Sequence, residues 1–224
     1  MPQVNPLPLK IDLHVHTCYS SDCSTTLENI VSFSKKKGLS GVAITDHDTV
    51  EGALRLLKKK NNGLIVIPGI EVSTDQGHVL GLNVTTPITP RLSARETVEE
   101  IHEAGGIAVA AHPSAMLKSG IGLMGKLSSC GFDAVEVINS SLFPFSLLTY
   151  LNERAATRSG LPQTAGSDSH LPETIGLAYT VFEDLEPEAS VEGIIEAVTE
   201  GKIFPFGQPV PWRLRLRKIA QEVR

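Results

Sequence analysis

The hydrophobic positions of the chain fall into short runs of aliphatic and β-branched residues that alternate with longer amphipathic segments. Short apolar runs bounded by turn residues are typical of buried strands, and apolar residues repeated every three or four positions are typical of helices. The short runs predict seven strands, at Lys10 to His16, Gly41 to Asp46, Leu64 to Val72, Gly77 to Val84, Ile107 to His112, Ala134 to Asn139 and Gln163 to Asp168. The amphipathic segments predict helices at Leu27 to Lys37, Thr49 to Lys60, Ala94 to Ala104, Phe145 to Arg158 and Val191 to Glu200.

The order of these elements predicts an α/β fold. Strands that alternate with helices indicate β-α units around a mostly parallel sheet. Ser93 and Glu96 have the spacing of a capping box, and Gly38 follows a lysine-rich last turn, which supports two of the helix boundaries. Seven strands in a chain of 224 residues favour closure into a β/α barrel over a wide open sheet, although the pattern alone is compatible with both.

The end of the chain differs in composition from the rest. Residues 205–224 begin with a proline-rich stretch, Pro205 to Pro211, and continue into a basic segment, Trp212 to Lys218. We interpret the first as a connector and the second as an amphipathic helix with a solvated basic face, rather than as a nucleic-acid-binding surface. We expect residues 1–204 to form the body of a single domain that also includes residues 205–224.

Composition and charge argue against a membrane protein, a protein that binds long nucleic acid and a secreted protein. The longest apolar runs fall far short of the roughly 20 residues that a membrane helix needs. The formal net charge of −5 argues against binding of long nucleic acid and favours a small substrate. The three cysteines, Cys18, Cys23 and Cys130, form no disulfide framework, and the first residues show no secretory-signal pattern. We therefore expect a cytoplasmic protein without membrane contact, whose oligomeric state the sequence leaves open.

Histidines and carboxylates are concentrated where the predicted strands end. Six of the seven histidines lie there, and alternation along the first strand places His14 and His16 on the same side. One such histidine is usually a packed or capped residue, but so many polar groups on one rim would be costly to bury unless metal ions compensated them. The residues are His14, His16, His47, Glu71, His78, His112, Asp168 and His170.

Other polar residues allow more than one interpretation. His102 lies in a predicted helix among acidic neighbours, so we expect it on the surface. Asp46 and Asp48 flank His47, and either orient imidazoles or cap the following helix. Cys18 and Cys23 lie near the first histidines but lack a metal-binding spacing.

Two signals follow the predicted strand that ends in His112. Ser114 and Lys118 are placed to meet a substrate phosphate, although surface positions are the ordinary interpretation. The segment Gly120 to Lys126 has the spacing of a phosphate-binding glycine loop, but Leu127 stands where that motif needs Ser or Thr. We interpret this segment as a loop near the site.

The polar residues at the strand ends form a set of short blocks that follow one another in a fixed order: Asp12 to Thr17, Asp22, Thr45 to Asp48, Pro68 to Ser73, His78, Ala111 to Pro113 and Gly166 to His170. This ordered set resembles the PHP family, named for polymerase and histidinol phosphatase. The resemblance covers the chain from about residue 10 to residue 170 and implies a distorted seven-stranded β/α barrel with metal-dependent phosphoesterase activity.

The resemblance also implies a ligand set for two or three divalent metal ions. The first ion would be held by His14, His16, Glu71 and Asp168, and the second by Asp22, His47 and His170, with Asp22 replacing a histidine of some relatives. A third would share Glu71 and take His78 and His112. Mixed nitrogen and oxygen donors suit zinc, manganese or iron. Glu71, Asp168 and His170 are the residues we expect to be most directly catalytic.

We therefore expect the protein to hydrolyse small phosphate esters with a metal-bridged hydroxide as the nucleophile. The compact family members that it most resembles act on 3',5'-bisphosphorylated nucleosides or short oligonucleotide ends. A histidinol-phosphatase-like phosphomonoesterase and a non-catalytic metal-binding accessory module are the alternatives.

The spacing of the blocks gives two further expectations. Only 40 positions separate Glu71 from His112, which leaves no room for a lid domain, so we expect an open site with broad tolerance for the leaving group. Residues from Trp212 onward follow every candidate ligand, so we expect them to be dispensable for hydrolysis of a small substrate.

Overall fold

The structure is a computed structural model that describes residues 7–59, 63–115 and 127–222. These residues form nine strands: β1 Leu9–Val15, β2 Gly41–Ile44, β3 Ile65–Thr74, β4 Gly77–Leu82, β5 Ile107–Ala110, β6 Ala134–Asn139, β7 Gln163–Gly166, β8 Ala178–Phe182 and β9 Phe204–Gly207. The helices are α1 Leu27–Lys36, α2 Glu51–Leu57, α3 Ala94–Glu103, α4 Leu127–Cys130, α5 Phe145–Ser159, α6 Val191–Thr199 and α7 Trp212–Glu222, with a 3-10 turn at Pro172–Thr174. None of the helices in the described ranges is long and apolar enough to cross a membrane.

The strands form a single sheet that almost closes on itself. Its order is β7-β6-β5-β4-β3-β2-β1-β8-β9, with β1 to β3 and β5 to β7 parallel and with β4, β8 and β9 antiparallel to their neighbours. The chain after β7 returns to β1, where Val15 and Ser169 form an isolated parallel bridge and the His16 N–H donates to the Ser169 carbonyl at 3.1 Å. The predicted α/β barrel is therefore confirmed.

The number of strands differs from the prediction of seven. All seven predicted strands and all five predicted helices form. In addition, β8 pairs antiparallel with β1, and β9 pairs antiparallel with β8. β9 lies in the stretch that we expected to be a connector. Its Pro205 and Gly207 interrupt any strand pattern, and Phe204 and Phe206 are each 56% exposed, a composition that only an edge strand tolerates.

Successive side chains of β1 point alternately to the apolar core and to a second, polar side of the strand. Ile11 and Leu13 are buried on one side, in the core cluster that contains Phe182. Asp12 follows the opposite phase, and its carboxylate accepts the backbone N–H groups of Ser167 and Gly176, each at 2.8 Å. Burial raises the pKa of Asp12 to about 6. This carboxylate joins β1 to the chain that follows β7.

Gly166 at the end of β7 permits the closest approach of that strand to β1. A Cβ atom added there would lie 2.3 Å from the Cβ of His14 and 2.8 Å from Oε1 of Glu136. Because both neighbours are buried, neither can move away cheaply. His14 can therefore occupy its position only because residue 166 has no side chain.

We predict that Gly166→Ala lowers the free energy of unfolding by about 2–3 kcal/mol, because the added methyl group overpacks the β1–β7 contact. Urea-induced unfolding followed by circular dichroism measures this. Gly193→Ala is the matched control, because its added Cβ in α6 would meet only Ser190 Oγ at 3.7 Å, and it should be neutral or stabilise by up to about 1 kcal/mol. Equal stability of the two variants would contradict the close packing of β7 on His14.

Candidate metal centre

The fold brings the candidate ligands to one rim of the barrel. His14 lies in β1, Glu71 in β3, and most of the others in the loops that follow parallel strands. His78 reaches the same rim because β4 runs antiparallel, so its first residues lie beside the end of β3. The residues that meet there are His14, His16, Asp22, His47, Glu71, His78, His112, Asp168 and His170.

Glu71 occupies the centre of this group. Its side chain is 1% exposed, and both carboxylate oxygens face imidazole rings. Oε1 lies 2.8 Å from His78 Nδ1 and 3.2 Å from His112 Nε2. Oε2 lies 3.1–3.3 Å from nitrogens of the other three rings, those of His14, His16 and His47. One buried carboxylate thus contacts five histidines.

The four residues proposed for the first ion lie within contact distance of one another. His14 Nε2 and His16 Nε2 are 3.1 Å apart. Asp168 Oδ1 lies 3.6 Å from the first of these nitrogens and 3.3 Å from the second. With Glu71 Oε2, these atoms surround a common point at the end of β1.

The second and third predicted groups also come together. Asp22 Oδ2 lies 2.8 Å from His170 Nε2 and 3.6 Å from His47 Nε2. Glu71 lies between His47 and His78 on one side and between His14 and His112 on the other, and the ligand atoms of each such trio lie within 4.8 Å of one another. The structure therefore unites all nine residues that the sequence suggested.

A set of supporting residues was not predicted. Glu136 of β6 is buried, and its carboxylate accepts from His14 Nδ1 at 2.9 Å and from the His112 backbone N–H at 3.0 Å. Ser20 Oγ lies 3.0 Å from His16 Nδ1, and Ser141 Oγ donates to Asp168 Oδ2 at 2.6 Å. A lone carboxylate inside the apolar run of β6 is the signal that could have identified Glu136.

Asp46 and Asp48 perform neither of the roles expected for them. Asp46 accepts the backbone N–H and the hydroxyl of Thr17, at 2.6 and 2.7 Å. Asp48 accepts the backbone N–H of Ser73 at 2.8 Å. The N-cap of α2 is Val50, without a side-chain cap. Within the described part of the chain, both carboxylates therefore fix loops around the histidines, and neither bonds an imidazole ring or caps the helix.

Three residues of the rim have left-handed backbone conformations. The φ angles are +54° at Asp48, +29° at His112 and +52° at Asp168. Such angles are uncommon outside glycine, and they persist only where surrounding contacts impose them. At Asp168 the backbone N–H donates to the His14 carbonyl at 2.9 Å, which fixes the turn that points the carboxylate at the histidines.

The carboxylates control the protonation of the imidazoles. Burial opposes charge on His16, but the neighbouring carboxylates of Asp168 and Glu71 outweigh it and raise its pKa to about 9. Burial also opposes charge on His14, whose pKa the charges of Glu136 and Glu71 hold well above the usual range. The pKa of Glu71 is held well below its usual range by His14 and His112, against the effect of burial. The cluster therefore favours positive charge at its centre.

The donor set fits divalent cations. Because His14 donates its Nδ1–H to Glu136, a neutral ring would present its Nε2 lone pair to Glu71 Oε2 at 3.3 Å and to Asp168 Oδ1 at 3.6 Å. Glu71 Oε2 is buried and has no hydrogen-bond partner among the described residues. Facing lone pairs repel unless a proton or a cation lies between them, and about 3.3 Å is the edge of a tetrahedron whose metal–ligand bonds are about 2.0–2.1 Å long.

The cluster lines a cavity of about 270 Å³ that also receives a residue from the C-terminal helix. Lys218 of α7 lies in its wall together with Asp22 and His170. The pKa of His170 is lowered by burial and by the charge of His16, with a smaller effect of Lys218. We expected the terminal segment to be dispensable because it follows every candidate ligand in the sequence. This reason is wrong, because α7 returns to the site in the folded chain.

The remaining candidates lie apart from the cluster or outside the described residues. Ser114 is buried, donating its backbone N–H to Asn152 Oδ1 and its hydroxyl to the Leu148 carbonyl, so it is a packing residue rather than a surface one. His102 is 41% exposed, as expected, and pairs with Asp133 at 2.8 Å. Cys18 and Cys23 are free thiols. Lys118 and Gly120 to Lys126 lie outside the described residues.

Parts of this chain are similar in sequence to known proteins. The PHP domain matches residues 12–170, and a PHP-associated region matches residues 151–203. An uncharacterized protein of Methanocaldococcus jannaschii is 37% identical over 143 residues, which are 59% of this chain and 82% of that protein. The 5'-3' exoribonuclease Rnm of Escherichia coli is 35% identical over 95 residues, 38% of this chain and 32% of that protein.

A solved structure supports the same fold assignment. It is a two-domain protein from Bacteroides vulgatus that contains a predicted PHP-like metal-dependent phosphoesterase. It superposes with a TM-score of 0.75 at 16% sequence identity, over 97% of this chain and 71% of that one. The PHP match spans the whole ligand cluster, from β1 to the loop after β7. The chain therefore belongs to the PHP family of metal-dependent phosphoesterases.

Proposed function

We propose that this protein hydrolyses small phosphate esters, among them 3',5'-bisphosphorylated nucleosides or the ends of short oligonucleotides. The observation that carries the proposal is the single buried carboxylate of Glu71 with five histidines around it. Such a group is costly to bury without compensating cations. The exoribonuclease among the relatives supports a nucleotide substrate, and the net charge of −5 argues against a long structured RNA.

The nine residues divide among two or three divalent ions. His14, His16, Glu71 and Asp168 would hold the first, Asp22, His47 and His170 the second, and Glu71, His78 and His112 the third. Such ions, when bound, activate water at neutral pH and neutralise charge on phosphoryl oxygens. Zinc, manganese and iron all suit these donors.

The protein's own residues hold this arrangement before a substrate arrives. Glu136 fixes the tautomer of His14 by accepting its Nδ1–H, so Nε2 is left as the donor atom. Ser141 and Asn139 both donate to Asp168 Oδ2, at 2.6 and 3.3 Å, and leave Oδ1 directed at the histidines. A preorganised set of this kind needs little rearrangement during the reaction.

Protein purified without chelator should contain more than one equivalent of transition metal per chain, because the nine donors exceed the needs of one ion. Elemental analysis measures this. Asp168→Asn and His14→Ala should lower kcat/KM for an aryl phosphate ester in manganese by more than about 100-fold, since loss of a supporting residue alone costs about 10–100-fold.

His102→Ala is the control for these variants, because His102 is exposed and paired with Asp133 away from the cavity. It should leave kcat/KM unchanged. Full activity in metal-free protein, or equal losses in all three variants, would overturn the proposed function. An accessory module without catalytic activity would bind the metal but hydrolyse none of the esters.

Metal binding should release protons. A histidine must be neutral to bind a metal ion, and the pKa of His16 near 9 keeps it protonated in the metal-free protein at neutral pH. We expect at least one proton per chain to be released when manganese or zinc is added to chelator-treated protein. Calorimetric titration in two buffers of different ionisation enthalpy measures this number.

The same pKa gives the metal-free protein a pH-dependent stability. Because the folded pKa of about 9 lies above the ordinary value of 6.5, the contribution of His16 is complete below pH 6.5 and is lost as the pH rises to about 9. Urea unfolding of chelator-treated protein across this range should show the decrease, and His16→Ala should reduce it. A decrease of the same size in both proteins would assign it to another group.

Glu136→Gln should weaken metal binding by about 10–100-fold, because the amide presents an NH₂ group to donors that now share a carboxylate. His14 Nδ1, the His112 backbone N–H and Asn139 Nδ2 all point at this carboxylate. Competition with a chromogenic chelator measures the affinity. Glu192→Gln, on the exposed face of α6, is the control and should bind metal as the wild type does. Wild-type affinity in Glu136→Gln would show that Glu136 does not support the site.

A further inference from the structure

The C-terminal helix α7 is attached to the loop that completes the metal centre. The guanidinium group of Arg215 donates to the carbonyl oxygens of Ser140, Ser141 and Leu142, at 2.7–3.0 Å. The hydroxyl of Ser141 in turn donates to Asp168. The contacts of Arg215 with these carbonyl groups therefore fix the position of α7 relative to the ligand cluster.

A second cavity opens between α7 and the cluster. Its volume is about 360 Å³, and it shares Ser141, Asp168, His170 and Lys218 with the cavity of the metal centre. Its outer wall is apolar and consists of Phe143, Leu171, Val210, Trp212, Leu214 and Leu216. The two cavities thus form one cleft, with carboxylates and imidazoles at one end and apolar side chains at the other.

Two large aromatic side chains stand at the apolar end with most of their surface exposed. Trp212 is 64% exposed and Phe143 is 61% exposed. Their rings contact each other at nearly right angles, with centroids 5.1 Å apart, and the guanidinium of Arg215 lies 5.8 Å from the Phe143 ring centroid. An exposed apolar patch beside a polar site is a common mark of ligand binding, and aromatic rings provide stacking surfaces for flat ligands.

We propose that Trp212 and Phe143 form a subsite for the base of a nucleoside phosphate whose phosphate group is bound at the metal centre. The proposal rests on the proposed function, because it takes the cluster as the place where the phosphate binds. Lys218, which lines both cavities, adds positive charge at the junction where phosphate and nucleoside meet. Base stacking on an aromatic ring is tolerant of base identity, so the subsite selects nucleosides as a class.

This subsite changes the expected selectivity. A cleft with metals at only one end would accept esters with little regard to the leaving group, as the lack of room for a lid suggested. If Trp212 and Phe143 bind the base, kcat/KM for AMP should exceed that for ribose 5-phosphate, which has the same ester linkage but no base. The C-terminal helix then determines specificity and is required for efficient use of nucleotides.

Trp212 is the only tryptophan of the chain, so its fluorescence reports directly on the subsite. Adenosine has no phosphate and is not hydrolysed, so its binding is measured independently of turnover. Titration of the full-length, metal-loaded protein with adenosine should quench the fluorescence in a saturable way, and ribose 5-phosphate should not. Quenching by neither compound would overturn the subsite.

Steady-state kinetics give the second test. Trp212→Ala should raise KM for AMP by about tenfold and leave KM for ribose 5-phosphate unchanged, and Trp212→Phe should restore most of the loss. Phe206→Ala removes another exposed aromatic side chain, on β9, and should change neither value. Circular dichroism and urea unfolding establish that each variant is folded, and the adenosine titration of the unmodified protein preserves the test if Trp212→Ala is unstable.

The outcomes separate this inference from the proposed function. Hydrolysis of both esters with equal kcat/KM, or an equal loss for both in Trp212→Ala, would overturn the subsite and leave the phosphoesterase activity intact. Hydrolysis of neither ester together with saturable quenching by adenosine would overturn the proposed function while supporting binding of the base at Trp212.

Discussion

The structure depends above all on the compensation of one buried negative charge. Glu71 is withdrawn from water at the end of β3, and five imidazole nitrogens lie within 3.3 Å of its two oxygens. An isolated carboxylate in such a place would be strongly destabilising, so the surrounding strands must supply positive charge, as protonated histidines or as metal ions. This requirement explains why these five histidines come from four separate segments and why those segments meet at the same rim.

Much of the remaining barrel keeps these rings in place. Asp12 and Glu136 are buried carboxylates that bind backbone N–H groups and an imidazole rather than solvent. Gly166 allows β7 to approach His14, and the strained turn at Asp168 directs its carboxylate to the same point. Antiparallel β4 has a specific use here, because it places His78 beside Glu71 without a crossover helix. These three departures from a regular β/α barrel thus lie at the site.

The sequence predicts which residues meet in the cluster better than it predicts what surrounds them. His14 and His16 alternate in a clear strand, and Asp168 and His170 follow another, so local patterns were sufficient to find them. Glu136 could not be paired with His14 from local patterns, because 122 positions separate the two. β9 escaped prediction because Pro205 and Gly207 resemble a connector, and the return of α7 to the cleft depends on Arg215 contacts with a loop more than 70 positions earlier. Such contacts are set by tertiary packing, which periodicity does not encode.

The barrel is incompletely paired where β1 meets β7, and we call this place the seam. In the described residues these strands are not neighbours in the sheet order, and the bridge between Val15 and Ser169 is isolated. His14 and His16 lie on one side of this seam, and Asp168 and His170 lie on the other. An ion shared across the seam would cross-link two segments that are far apart in the sequence, as a disulfide bond does. Unlike a disulfide bond, this cross-link would be opened by a chelator. The atoms that serve hydrolysis would then also fasten the barrel shut.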